Sequence, residues 1–441
     1  MVFVLMLCLC LFALLGIYIS KKWYNPMTIF GGLWAFICIL SSFRLYGMYP
    51  FSNRPYIIIF IGSIGFCFGY LACSIKRRKI IIRFSHKEDY GQCEYFIDEK
   101  FLLICSVITT ILYAIVVVRV LAIIASGLSA ALIRGLYFEG SDLIYGSSIL
   151  QKIDTFIIRP MMFAFIPVNV IYFLQKKRLN IINILFLINV IFYSIITFGR
   201  MIIAHIIINL IICTFIMGVS LGEDTKKKLM HIFKIYILPF CIVLFIAIYK
   251  ISNMRQSEKS NPILFGEQFY SYLTVVMPLM DNCLDYIDSN EISTNGVMFV
   301  RGILSFIMAF VHRLGIRFPL LDQATSIISY TEEFVPVFPG RVYNAFVSMF
   351  FAFYVDFREI GVFIGSAFYG WIMNTSFKST NSKNIKTLAI YLLLMQSLIK
   401  SFIRWDFVRL DYCLAFIWLL IWIRKKYISS KENMNQLEIA K

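Results

Sequence analysis

Apolar runs of about 20 residues recur along the chain, each closed by a short polar or basic stretch, and that is the length and spacing of helices that cross a bilayer. Eleven such runs stand near 2–20, 28–46, 56–74, 101–125, 156–174, 180–198, 201–219, 235–250, 360–376, 386–402 and 407–423. The first lacks a basic start and an Ala-x-Ala cleavage site and is followed by Lys21 and Lys22, so it reads as a retained span rather than a signal peptide. Between 251 and 359 the pattern breaks. Apolar stretches at 262–280 and 297–311 are interrupted by Pro, Gly or charge, which suits interfacial or re-entrant helices better than full crossings. The expected organisation is all-α: eight spans in 1–250, one large extracytoplasmic loop in 251–359, three spans in 360–424 and a tail in 425–441.

Composition agrees with the pattern. Of the 441 residues 60% are hydrophobic and 15% charged, with mean hydropathy +0.78, and no linker-like stretch divides the chain into soluble units. A water-soluble core could not hide that much apolar surface. The net charge of +17 comes from short clusters between apolar runs rather than from one face or tail, so it reports topology and not nucleic-acid binding. Lys21 and Lys22, Lys76–Lys79 with Arg83, Lys176–Arg178, Lys226–Lys228, Lys378–Lys386 and Arg424–Lys426 fall on one side when the helices alternate. That side is the cytoplasm by the positive-inside rule, which puts the C-terminus inside and the N-terminus outside.

The two basic residue types divide unequally between the sides. The cytoplasmic side takes nineteen lysines and five arginines, the outer side and outer half-helices four lysines and fourteen arginines, together the 42 basic residues of the chain. Lysine suffices for topology. Guanidinium is planar, less strongly hydrated and bidentate toward phosphate, so its preference outside suits a surface that grips a diphosphate, against the alternative that these side chains snorkel or pair with loop acids. Nine of the eleven cysteines lie in apolar runs, and Cys93 and Cys283 fall in separate loops, so neither a disulfide framework nor a zinc site is indicated.

Gly-x-Gly-x-x-Gly, Walker A, His-Glu-x-x-His and Cys-x-x-Cys are absent, so no cofactor or metal is expected and an energy source must arrive with the substrate. A lipid-linked sugar diphosphate carries its own leaving group. Arg200 closes Thr197-Phe198-Gly199-Arg200 at the outer junction of two spans, Arg134 lies among apolar residues of an outer loop, and Arg255 and Arg341 belong to the large loop with Arg301, Arg313 and Arg317. Arg134, Arg200, Arg255 and Arg341 are the candidate diphosphate ligands, with interfacial anchoring the alternative. His312 is the one histidine expected outside, with His86 and His231 cytoplasmic and His205 within a span. As a general base it competes with Glu332, Glu333 and Asp356, and Asp356 reads equally well as a helix cap. Tyr343, Tyr354 and Trp405 could stack on sugar rings or anchor at the interface.

Two stretches carry a likeness. Phe198-Gly199-Arg200 opens an apolar helix, and Val342-Tyr343-Asn344 is followed by Phe353-Tyr354-Val355-Asp356-Phe357 and Gly361. Together with the helix count and single outer loop they resemble the oligosaccharide repeat-unit polymerases, the Wzy-type O-antigen and capsule polymerases of bacteria, which share their architecture with C-type membrane glycosyltransferases. The chain departs from that pattern with Arg341 where Asn is common, Asn344 where Thr is common and Arg358 where Gly is usual. The resemblance implies a metal-independent glycosyltransferase that joins undecaprenyl-diphosphate-linked oligosaccharide units, with a polysaccharide chain-length regulator as partner. Arg134, Arg200, Arg255 and Arg341 would hold the departing diphosphate, and His312, Glu332 or Asp356 would deprotonate the acceptor. An O-antigen ligase shares topology and donor and differs in acceptor. A polysaccharide flippase or other transporter would carry polar residues near mid-membrane and inverted repeats, which are not visible in the sequence.

Overall fold

The computed structural model describes residues 2–80, 93–219, 265–382 and 384–427. The apolar run 235–250, Arg255 and the tail beyond 427 lie outside the described residues. Along the chain the helices are α1 Val2–Ser20, α2 Pro26–Ser42, α3 Arg54–Ile80, α4 Glu99–Ala125, α5 Ala130–Glu139, α6 Asp142–Tyr145, α7 Ser148–Ile153, α8 Arg159–Lys176, α9 Ile181–Thr197 and α10 Met201–Val219. They continue as α11 Phe265–Thr274, α12 Val276–Ser289, α13 Val297–Val311, α14 Pro319–Thr331, α15 Ser348–Ser379, α16 Ile385–Ile399 and α17 Leu410–Trp422. Four short strands, β1 Cys93–Ile97, β2 Val335–Phe338, β3 Arg341–Tyr343 and β4 Ile423–Tyr427, form two antiparallel ribbons, β1 with β4 and β2 with β3.

Five helical segments among the described residues are long and apolar enough to cross a membrane: Val2–Ser20, Arg54–Cys73, Glu99–Ala125, Ser148–Lys176 and Met201–Gly218. The chain therefore has the helices of a membrane-embedded α-helical protein. The runs expected at 28–46, 180–198, 386–402 and 407–423 hold shorter helices, of 17, 17, 15 and 13 residues. The last two are cut short for one reason. A turn over 400–409 carries Lys400, Arg404, Asp406 and Arg409, and its internal hydrogen bonds end α16 before it and delay α17 after it. The run 360–376 belongs to a longer helix, α15, which is broken at Phe357 and Arg358, where Arg358 has φ 54° and ψ −143°.

The chain divides into two compact units, the first of residues 1–75, 256–377 and 394–414 and the second of 76–255, 378–393 and 415–441. In the first, α1 and α2 form a hairpin whose second helix opens on Asn25, its side chain accepting from Thr28 N, with Pro26 at the first helical position. Gly62, Gly65 and Gly69 form a stripe on α3 that lets the backbone of α15 approach. A Cβ on Gly65 would stand 2.4 Å from the Phe363 carbonyl oxygen, and one on Gly69 1.7 Å from that of Ala367. Close packing of small residues is the usual way helices associate where lipid removes the hydrophobic drive between them. The β2–β3 hairpin turns at Pro339-Gly340, Gly340 at φ 69°, and packs its Val337 and Phe338 on Met48, Tyr270 and Leu279.

The second unit holds α4 to α10. The segment joining α4 to α8 is a series of short helices, each started by a serine cap: Ser129 accepts from Leu132 N, Ser141 from Leu143 N and Ser147 from Leu150 N. A π-turn over Asp154–Ile158 leads into α8 and sets Asp154 beneath Arg159. Near the other ends of α4 and α8, β1 pairs with β4 from Cys93↔Tyr427 to Ile97↔Ile423, and Lys176 pairs with Glu99 at 2.9 Å.

Candidate functional site

The first unit gathers two guanidiniums and one carboxylate where α13, α14 and the turn 400–409 meet. Asp356 starts the arrangement. Its Oδ1 accepts from Thr294 Oγ1 at 2.5 Å and Met298 N at 3.0 Å, and its Oδ2 from Phe299 N at 2.8 Å, so it fixes the first turn of α13. Arg301 follows on that helix. It donates from Nη1 to the Val408 carbonyl and from Nη2 to Thr325 Oγ1 on α14, both at 3.0 Å, and its Nε, buried, has no hydrogen-bond partner among the described residues. Arg404 Nη1 donates to Glu332 Oε1 at 3.1 Å.

Glu332 ends α14 and keeps 53% of its side chain exposed, against 19% for Arg404. Its backbone carbonyl accepts from Asn344 Nδ2 at 2.7 Å, which joins the Val342-Tyr343-Asn344 stretch to the same place. Burial pulls the Arg301 guanidinium down from its ordinary value, Glu332 pushes it up and Arg404 pulls it down again. Arg301 thus lies within electrostatic reach of the Arg404–Glu332 pair without itself bonding the carboxylate, and Glu332 is the acid that Arg404 engages there among the described residues. Trp405, beside Arg404, donates from Nε1 to the Phe299 carbonyl at 2.9 Å and stacks on the Phe299 ring.

Of the expected base candidates, only Glu332 belongs to this cluster. Asp356 is 2% exposed and engaged by the α13 amides, so it caps a neighbouring helix rather than its own. His312 is exposed in the short turn after α13. Eleven residues of helical rise separate it from Arg301, roughly 16 Å at 1.5 Å per residue.

Among the expected diphosphate ligands, Arg341 is ion-paired with Glu267 of α11. Arg134, in the second unit, donates from Nη1 to the Thr197 carbonyl at 3.1 Å and lies over the Phe138 ring, so it reaches the Thr197–Arg200 junction as a partner of that segment. Phe198 there takes φ 45°, and Thr197 Oγ1 accepts from Gly199 N. Arg255 lies outside the described residues.

The two tyrosines expected at sugars are engaged elsewhere. Tyr343 packs edge-on against Phe338 in the hairpin. Tyr354 is buried, donates from its hydroxyl to Asp288 at 2.9 Å, accepts from Arg54 Nη2 at 2.5 Å, and has the guanidiniums of Arg54 and Arg358 over its ring. In the sequence Arg301 is one loop arginine among several, and Arg404 is one of the fourteen arginines assigned to the outer side. The signal for Arg404 was its setting, a charge-dense turn of Lys400, Arg404, Asp406 and Arg409 between two apolar runs.

No protein-family model, no curated protein and no solved structure matches the chain.

Proposed function

We propose that the chain is a membrane glycosyltransferase that polymerises lipid-diphosphate-linked oligosaccharide units at the outer face of the bacterial cytoplasmic membrane. The observation that carries this reading is the pair Arg301 and Arg404 set against the single carboxylate of Glu332, with a guanidinium Nε left without a protein acceptor among the described residues. Two neighbouring guanidiniums of which one is ion-paired have capacity for a further anion, and a planar fork of N–H donors matches phosphate oxygens.

The reaction follows from that charge arrangement. The bond between the anomeric carbon and the diphosphate oxygen breaks, the diphosphate keeps the electron pair, and Arg301 and Arg404 stabilise the charge as it develops. The acceptor sugar hydroxyl forms the new glycosidic bond and gives its proton to Glu332, whose exposed carboxylate is open to an incoming sugar.

With this goes the topology of eleven crossings, the 251–359 segment outside and the C-terminus inside. Contacts within each unit support it. Arg404, from the turn between the last two crossings, meets Glu332 of the large loop, and both belong outside on that scheme. Asp98 pairs with Arg424, and β1 pairs with β4, all of which belong inside.

The test is Arg404→Lys and Arg301→Lys in purified protein supplied with undecaprenyl-diphosphate oligosaccharide. Each should lower kcat on the order of 100- to 1000-fold, the loss usual for one preorganised donor to a developing anion, with an unchanged melting temperature. Wild-type turnover in both variants would sink the diphosphate reading. In cells, a deletion strain should display single capped repeats in place of long chains. Absence of surface glycan would indicate a flippase instead, and free unattached polymer a ligase.

A further inference from the structure

The same turn carries a second set of charges that the transfer step does not use. Lys400 Nζ and Asp406 Oδ1 stand 2.6 Å apart, with side chains 6% and 0% exposed. On the same turn Arg409 Nη2 pairs with Asp411 Oδ2 at 2.5 Å. These four groups are two cations and two anions. Each cation here has an acid within ion-pair distance, as Arg301 does not among the described residues.

What they surround is informative. Lys400 and Asp406 are the two ends of a loop whose tip carries Arg404 and Trp405. The loop is closed by Ile403 N donating to the Lys400 carbonyl at 2.8 Å, and it continues through Arg409 N donating to the Asp406 carbonyl at 2.9 Å. One flank is tied down by Val347 N and Ser348 N on the Ile403 carbonyl and by Met349 N on that of Ser401. Both guanidiniums of the anion cluster depend on this turn, Arg404 because it sits on it and Arg301 because its Nη1 donates to the Val408 carbonyl.

A buried ion pair is a poor device for stability alone, since apolar residues of similar volume often do as well or better. Its distinct contribution is direction: the charges attract along one line and fix the distance between the loop's ends. We infer that the Lys400–Asp406 ion pair is a positioning clamp for the anion site, closing the turn 400–409 so that Arg404 and the Val408 carbonyl hold both guanidiniums at the spacing a diphosphate requires. This rests on the glycosyltransferase reading for the ligand's chemistry. The residues involved act through Arg301 and Arg404 and do not touch substrate.

The experiment measures farnesyl diphosphate binding to the full chain in detergent, together with turnover. Because Lys400→Met alone would strand a buried carboxylate, the informative variant is the apolar pair Lys400→Met with Asp406→Leu, which keeps the volume and removes both charges. It should weaken farnesyl diphosphate binding and lower kcat on the order of 10- to 100-fold, the usual effect of losing an outer partner of a ligand-holding group, with KM for the acceptor unchanged. Combined with Arg404→Ala it should add little to the loss that Arg404→Ala causes alone, because both act on the same contact. Lys400→Arg, which keeps the pair, should bind as the wild type does.

Losses that multiply in the combined variant, or wild-type binding by the apolar pair while Arg404→Ala is weakened, would overturn the clamp and leave the anion site standing. Wild-type binding by Arg404→Ala itself would remove the anion site and the clamp with it.

Discussion

Two guanidiniums withdrawn from solvent, one in each unit, illustrate opposite uses of the same group. Arg159 donates from Nε to Asp154 Oδ2 at 2.6 Å and from Nη2 to the Tyr145 hydroxyl at 2.6 Å and the Tyr137 carbonyl at 3.2 Å, while the Tyr137 ring covers it at 4.4 Å. It has an acid of its own and a cage of tyrosines. Arg301 bonds a carbonyl and a threonine hydroxyl, has no acid of its own among the described residues, and leaves Nε without a partner among them. A charge that the protein itself neutralises holds structure together. A charge without an acid of its own has capacity for a further anion, which is why arginines of similar sequence setting cannot be counted as one binding set.

The largest effect that would break this comparison is expected at Arg159. Arg159→Met strands Asp154 as a buried, uncompensated carboxylate and should cost about 3–5 kcal/mol, seen as a marked fall in the melting temperature of detergent-solubilised protein. Adding Asp154→Leu should restore much of that stability. A single variant that melts with the wild type would show that Arg159 is not a structural charge and would place it with Arg301.

A smaller effect sharpens the other side. Glu332→Gln keeps the shape of the side chain but can no longer take a proton, so kcat should fall about 100-fold by loss of a general base. The same change frees Arg404 from its acid, so farnesyl diphosphate should bind at least as tightly as to the wild type. Reduced turnover together with weakened diphosphate binding would mean that Glu332 only orients Arg404.

The sequence made the local features legible and the pairings illegible. Apolar runs placed ten helices, and the polar break in Thr197–Arg200 correctly marked a junction that Arg134 reaches. Tyr354 reads as a sugar platform or an interface anchor, and nothing near it in sequence shows that Arg54, 300 residues away, and Asp288 will engage its hydroxyl. Arg341 and Glu267, and Arg404 and Glu332, are likewise partners 74 and 72 residues apart. Hydrophobic periodicity carries no information about which acid a loop arginine will meet.

Arg358 is instructive in another way. Its backbone is at φ 54° and ψ −143°, a region that costs a side-chain-bearing residue about 1–3 kcal/mol. Here the arginine is held in that conformation by Asp288 at 3.0 Å and the Ile287 carbonyl. The backbone break in α15 thus carries a side chain at a conformation that favours glycine, and an ion pair accompanies it.

The smallest expected effect concerns Asp356, which read equally well as base or cap. Burial pushes its carboxyl above the usual carboxylate value, while the hydrogen bonds from Thr294, Phe299 N and Met298 N pull the other way. All of those donors are spent on starting α13, the helix that carries Arg301. Asp356→Asn keeps one acceptor oxygen and loses the charge, so it should cost about 1 kcal/mol of stability, as helix caps do, and leave kcat within about twofold of the wild type. Thermal melting and turnover on the same preparation separate the roles: a hundredfold loss of kcat at an unchanged melting temperature would return Asp356 to the chemistry and dissolve its assignment as the cap.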